Sequence, residues 1–379
     1  MPRPNGRRAI ITGVEGDLGG SRPGARSGHD VVPRSSARRD RLHAQARVES
    51  AELTHDPVRV SGWILHPHEP LSSVAVQLDG RLLGEAPLRG RPDVAASHPA
   101  VSHALLSGFD ISGRPSNVAA EFHRVTVIGR SEDNAVEAVR ECTVATRFPV
   151  FAADPPLHLR RRIAIRTDLN TFYTFGFQLA ADIYRATEPV LAHIASPEIL
   201  DWGCGCGRLA IHLRRHWPTA NVHACDVDRE AVDWCAKNIA DVEAFVSGVD
   251  PPLPLPSDSV DLVIGSSVMT HLDPSNQEAW LDEVQRVLRP GGIAALSTHG
   301  EFAAAFQGSN LSERVAREGF VDLQADHALD DVLPPGYYRA VFQSRASTIA
   351  AFTTKLLLHD YLTAGYGGFQ DLVVLQKVH

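Results

Sequence analysis

Ile199-Leu-Asp-Trp-Gly-Cys-Gly-Cys-Gly207 is the stretch that decides the fold: a short apolar run delivers Asp201 and then three glycines spaced by two. A run of this length ending in glycine reads as a buried strand entering a tight turn. Gly203, Gly205 and Gly207 let the backbone take positive φ and approach a ligand without a Cβ in the way. A helix predicted from Arg208 would aim free N–H groups at the same spot. The turn therefore predicts a site for a nucleoside-bearing ligand. A dinucleotide fold asks for G-x-G-x-x-G, and this segment supplies D-x-G-x-G-x-G instead, which argues against a nicotinamide enzyme.

Downstream, Asn221 to Cys225 reads as a second buried strand, and Asp226 closes it 19 residues after Gly207. Open α/β sheets place a ribose-binding carboxylate near that distance. The rival role for Asp226, capping a helix over Arg229 to Asn238, is filled better by Asp228. Ala244-Phe245-Val246 is a third strand, and Leu262 to Gly265 a fourth, with Asp261 orienting its start. Ser266 to His271 follow at the carboxyl end of that strand, the end that faces a ligand crevice. Asp273-Pro274 then caps a helix carrying Trp280, Leu281, Val284, Val287 and Leu288 at helical spacing. Arg289-Pro-Gly-Gly292 stops it and turns into a fifth strand, Ile293 to Thr298, and Gln370 to Val378 is a closing strand.

This order of strands, helices and punctuation resembles the class I S-adenosylmethionine-dependent methyltransferases over residues 166–379. The resemblance implies an α/β, Rossmann-like domain with a seven-stranded sheet whose last strand runs antiparallel, and S-adenosylmethionine as cofactor. It implies that Asp201, Gly203, Cys204, Gly205 and Gly207 hold the methionine part. Asp226 and Val227 would then meet the ribose, Ser266 would face the crevice, and Asp250, or the backbone of Gly248 or Val249, would meet the adenine amino group. It further implies methyl transfer to a small-molecule or glycan-linked acceptor, with oxygen favoured. Positioning can supply several kcal/mol of such a barrier, so few protein groups need do chemistry. For a hydroxyl acceptor, His271 and His299 are the candidate general bases. The segment from Arg166 to Thr187 is expected to lid the cofactor with Phe172 or Tyr173. Leu333-Pro-Pro-Gly-Tyr-Tyr-Arg339 is expected to recognise the acceptor, through Tyr337, Tyr338 and Arg339. A rival from another class is a non-catalytic adaptor that keeps the scaffold alone.

The rest of the chain differs in texture. Residues 1–44 hold nine arginines against four acids, a surplus of +5 that leaves −13 for the remainder of a chain whose total is −8. With no aromatic residue there, a disordered leader is predicted. Arg8 to Gly20 resembles the opening strand and turn of sugar-nucleotide dehydratases and epimerases, but nothing after Gly20 continues that domain. Residues 45–148 read as a small all-β sandwich, with alternation through Val58, Val60 and Ile64, and through Val74, Val76 and Leu78 up to an Asp79-Gly80 hairpin turn. Gly62-Trp63, Arg91 to Val94 and Gly108-Phe109 resemble the sandwich modules appended to bacterial surface-glycan transferases, and Trp63 is expected in its core. Residues 149–165 read as a linker. Five cysteines, an odd number without metal spacing, predict reduced thiols in a cytoplasmic protein with no metal site. No apolar run spans a bilayer and no nucleic-acid partner is expected.

Overall fold

The computed structural model describes residues 38–40, 44–115, 118, 120–146, 153–163, 168–325 and 329–378. Almost all of the arginine-rich leader, the 8–20 segment, and residues 149–152 and 164–165 of the predicted linker lie outside the described residues.

The centre of the fold is a sheet of seven strands: β1 (Glu198–Trp202), β2 (Asn221–Asp226), β3 (Val242–Val246), β4 (Val260–Gly265), β5 (Leu288–Thr298), β6 (Leu357–Tyr366) and β7 (Gln370–Gln376), in spatial order β3-β2-β1-β4-β5-β7-β6. The first five are parallel, and β7 runs antiparallel to both β5 and β6. The order reverses beside β1, so the crevice opens above the carboxyl ends of β1, β2 and β4. β4 is buried at every residue from Val260 to Gly265, as a parallel strand covered on both faces must be. Asp261 ties its start to the neighbouring strand by accepting from the Glu198 N–H at 2.8 Å and pairing with Arg289 at 2.6 Å.

Among the helices that flank this sheet are α1 (Leu169–Leu191), α2 (Ala210–His216), α3 (Arg229–Asn238) and α4 (Pro274–Val287). The predicted caps of α3 and α4 are present, Asp228 accepting from the Glu230 and Ala231 N–H groups and Asp273 from that of Asn276. The helix after the glycine turn starts at Ala210 rather than Arg208, because residues 204–209 are still turning.

The preceding strand-rich region holds two sheets. One is ordered Arg38–Asp40, Val136–Ala145, Phe122–Arg130, Ser73–Leu78 and Arg81–Pro87, the other Gln45–Glu52, Val58–Leu65, Leu106–Gly113 and Arg89–Gly90. Between them lies a core that includes Val48, Ile64, Val76, Phe109 and Val127. Order begins before residue 45, since Arg38–Asp40 pairs parallel with Val136 to Ala138. Part of the predicted linker is also structured: Leu157–Ile163 is a helix, and its Leu159 is buried with Phe172 and Cys204.

This region is packed against the seven-stranded sheet rather than tethered to it. Helix α1 lies between them. Phe177 on α1 is fully buried and stacks on Phe122 and on His216, each at 5.2 Å. The Gln178 side-chain amide donates to the Val48 carbonyl at 3.0 Å. Trp63, Leu65 and Val94 share a second core with Phe302, Phe306 and Ala364. Burying this many aromatic and aliphatic side chains at roughly 1.5–3 kcal/mol each gives the seam the character of a domain interior.

Candidate functional site

The three glycines do take left-handed backbone, with φ of 75° at Gly203, 52° at Gly205 and 74° at Gly207. A side chain at any of them would collide with packed neighbours. A Cβ at Gly203 would stand 2.4 Å from Val268 Cγ2, at Gly205 2.5 Å from Ile163 Cγ2, and at Gly207 2.3 Å from Ile239 Cδ1. Nor are the amides of the turn left open. Gly203 and Cys204 N–H donate to the Cys225 carbonyl at 2.8 and 3.0 Å, and Gly205 N–H to Asp226 Oδ2 at 2.7 Å. The turn is thereby braced on the end of β2.

What this brace presents is a cavity of about 920 Å³, lined at this end by Asp201, Gly203, Cys204, Gly205, Asp226 and Val227. Ser266 and Tyr337 line it too. Gly207 does not reach it; its contacts are with Ile239 and Cys235. Asp201 is fully buried, and neither carboxylate oxygen has a well-formed hydrogen bond, the Ala210 amide being its nearest donor. Burial above all, and then the neighbouring Asp226, push its pKa up to about 7, against weaker pulls from the Ala210 amide and Arg208. A buried carboxylate left in this state is costly unless a ligand satisfies it. Asp226 points into the same space, held by the Gly205 and Asp228 N–H groups at 2.7 and 2.9 Å, and burial raises its pKa as well. A cationic amino group and a pair of hydroxyls are the kind of ligand groups these two acids lack.

Other predicted residues fall elsewhere. Asp250 is exposed and does not line the cavity; Val249 does, with its carbonyl accepting from Tyr337 Oη at 2.5 Å. Tyr173 turns away to donate to Asp154 at 2.7 Å, and it is Phe172, buried at 3% exposure, that faces the cavity. Arg339 is drawn off by Asp322 at 2.5 Å and by the Gly336 carbonyl, so Leu333, Tyr337 and Tyr338 of that segment reach the cavity wall and Arg339 does not. A guanidinium pairs with a carboxylate on the adjacent strand in preference to standing unpaired over a pocket.

The two histidines approach each other, with ring centroids 6.4 Å apart. His271 directs Nδ1 to the Arg339 carbonyl at 2.7 Å and stacks on Tyr338 at 3.8 Å. His299 directs Nδ1 to the Val341 carbonyl, a partner that fixes the proton there and leaves Nε2 facing the Gln370 amide at 3.3 Å. Burial, followed by the proximity of His271, pushes the His299 pKa down to about 3. A group so reluctant to hold a proton is a feeble base near neutral pH. Gln370, which the sequence did not single out, also bonds Ser267 Oγ at 3.0 Å. Its signal lies in register: Thr298 sits opposite Asp371 on the antiparallel strand, so His299 and Gln370 form the next pair.

Residues 199–292 match the family model described as a methyltransferase domain. The chain is 31% identical over 144 residues to the fatty-acid O-methyltransferase of Mycolicibacterium smegmatis, covering 38% of this chain and 48% of that one. It is 27% identical over 228 residues to the malonyl-[acyl-carrier protein] O-methyltransferase of Yersinia pestis, covering 54% and 79%. It is 30% identical over 120 residues to the tRNA N(3)-cytidine methyltransferase of Gallus gallus, covering 29% and 32%. The chain thus spans less than half the length of two of these three relatives. Sheet order, glycine turn and family match together define a class I methyltransferase domain. Over residues 199–292 this chain matches that domain, of a kind that uses S-adenosylmethionine as cofactor. With a tRNA enzyme among the relatives, the expectation of no nucleic-acid partner gains no support from them. Among the described residues no helix is long and apolar enough to cross a membrane.

Proposed function

We propose that the chain transfers the methyl group of S-adenosylmethionine to an oxygen of a small-molecule acceptor. The observation that carries this reading is the fully buried carboxylate of Asp201, met only by weak pulls from the Ala210 amide and Arg208, on the wall of a large cavity. In this reading Asp201 holds the amino group of the cofactor's methionine part beside the glycine turn. Asp226 accepts from the ribose hydroxyls, with Val227 and Val249 against the nucleoside. Charge-assisted hydrogen bonds of this kind contribute about 1.5–3 kcal/mol each. When bound, the cofactor supplies a methyl group already activated by its sulfonium. The protein's part is then to align the acceptor and exclude water, tasks suited to Phe172, Tyr337 and Tyr338 on the cavity wall. Oxygen as the receiving atom is supported by the two relatives named as O-methyltransferases.

Calorimetry with S-adenosylhomocysteine tests the reading. Clear binding that weakens at least about tenfold in Asp226→Ala, roughly 1.4 kcal/mol, is expected. An intact protein that does not bind it at all would leave the non-catalytic adaptor as the better account.

A further inference from the structure

The cavity is walled from both parts of the chain. Besides the glycine turn it is lined by Gln45, Arg47, Trp63 and His98, all from the strand-rich region. The Arg47 guanidinium lies 4.0 Å from the centroid of Phe175 on α1, and that of Arg208, just past the glycine turn, lies 5.6 Å from the same ring. Gly176 makes this convergence possible, since a Cβ there would stand 2.3 Å from the Arg208 carbonyl oxygen and 3.0 Å from its Cγ. Among the described residues Arg208 forms no ion pair within 4 Å, although its charge acts on the buried Asp201; Asp93 is paired with Arg91, Asp228 with Arg162, and Asp168 caps α1. His98 adds no charge, because burial, with the Arg47 charge as a smaller contribution, lowers its pKa. It reaches the Gln45 side chain through Nε2 at 3.0 Å. Trp63 packs edge-on against it at 5.4 Å. The result is a wall of two cations on an aromatic surface, one of them, Arg47, far in sequence from the cofactor motif and the other, Arg208, directly after it.

We propose that the strand-rich region completes the acceptor site, with Arg47 and Arg208 holding a carboxylate of the acceptor while Trp63 and Phe175 cover its apolar body. Guanidinium groups suit this task because their planar fork matches a carboxylate. An acceptor that arrives ionised also needs no general base, which agrees with a His299 that resists protonation. The inference rests on the methyl-transfer reading above.

The test uses the full chain, labelled S-adenosylmethionine, and a panel of medium- and long-chain fatty acids beside the matching alcohols. Methyl ester formation from the acids is expected, with the alcohols inert. Arg47→Gln should raise KM for the best acid at least about tenfold while leaving kcat within about threefold and S-adenosylhomocysteine affinity within about twofold. Arg47→Lys, which keeps a cation over Phe175, should recover part of the KM and shows the effect is one of charge even if Arg47→Gln melts earlier. Three results overturn the proposal: Arg47→Gln weakening S-adenosylhomocysteine binding about tenfold with the acid KM unchanged, alcohols serving as well as acids, or no acid methylated by a protein that binds S-adenosylhomocysteine. The last would leave the methyltransferase reading standing, whereas failure to bind S-adenosylhomocysteine would remove both.

Discussion

The two ends of the cavity are built in opposite ways. At one end Asp201, the glycine turn and Asp226 come from a single strand-turn-helix-strand unit, in which backbone neighbours hold the turn and Asp226. Along the rest of the wall Arg47, Trp63 and His98 come together with Phe175 and Gln370 from across most of the length of the chain. The first end is a local device that hydrogen bonding and glycine conformation specify over a few dozen residues. The second exists only when two sheets close on α1, so its chemistry depends on the packing of the seam.

If the seam is an interior, damaging it should cost the most. Phe177→Ala removes a fully buried ring and is expected to destabilise the protein by roughly 3–5 kcal/mol. Denaturant unfolding should show a single transition shifted as a whole. A loss under about 1 kcal/mol, or two separate transitions, would show that the two regions fold independently.

A smaller effect should follow at the cofactor end from Asp201→Asn, which keeps the shape but removes the charge. S-adenosylhomocysteine affinity should fall about 100-fold, some 2.7 kcal/mol, while acceptor recognition by Arg47 is untouched. Stability should move the other way. The folded carboxyl holds a proton that the unfolded chain, with a pKa of 3.8, releases. The ligand-free protein therefore loses stability as pH rises from about 4 through about 7. The Asn variant should be the more stable protein above that window, by a few kcal/mol at most, with a flatter pH profile.

The same titration predicts a gentler signature in the native protein. S-adenosylhomocysteine should bind more tightly as pH rises toward about 7, by no more than about tenfold per unit, and level off above about 8. A flat profile in calorimetry across this range would mean that another group satisfies Asp201. Least affected should be Asp250→Ala, because that residue stands outside the cavity. A change in S-adenosylhomocysteine affinity above roughly 0.5 kcal/mol would restore it to the adenine site.

Much of the cofactor end was legible because its rules are short-range. Strand period, the caps Asp228 and Asp273, and the carboxylate at the end of β2 follow from residues within a few positions of one another. Errors arose where a long side chain could choose between partners: Arg339 found Asp322, Tyr173 found Asp154, and neither partner is marked by spacing in the sequence. The glycines were foreseen as turning residues, but the space they leave is taken by Val268, Ile163 and Ile239, which only packing reveals.

By itself, then, the sequence determined that a glycine turn and two acids would sit at the crest of a parallel sheet, since periodicity, capping and left-handed backbone are properties of neighbouring residues. Tertiary structure alone decided that the strand-rich region is a wall of the same cavity. Burial of Trp63, Phe177 and Phe306 in a shared seam brings Arg47 to Phe175, and no local preference encodes a contact between residues so far apart along the chain.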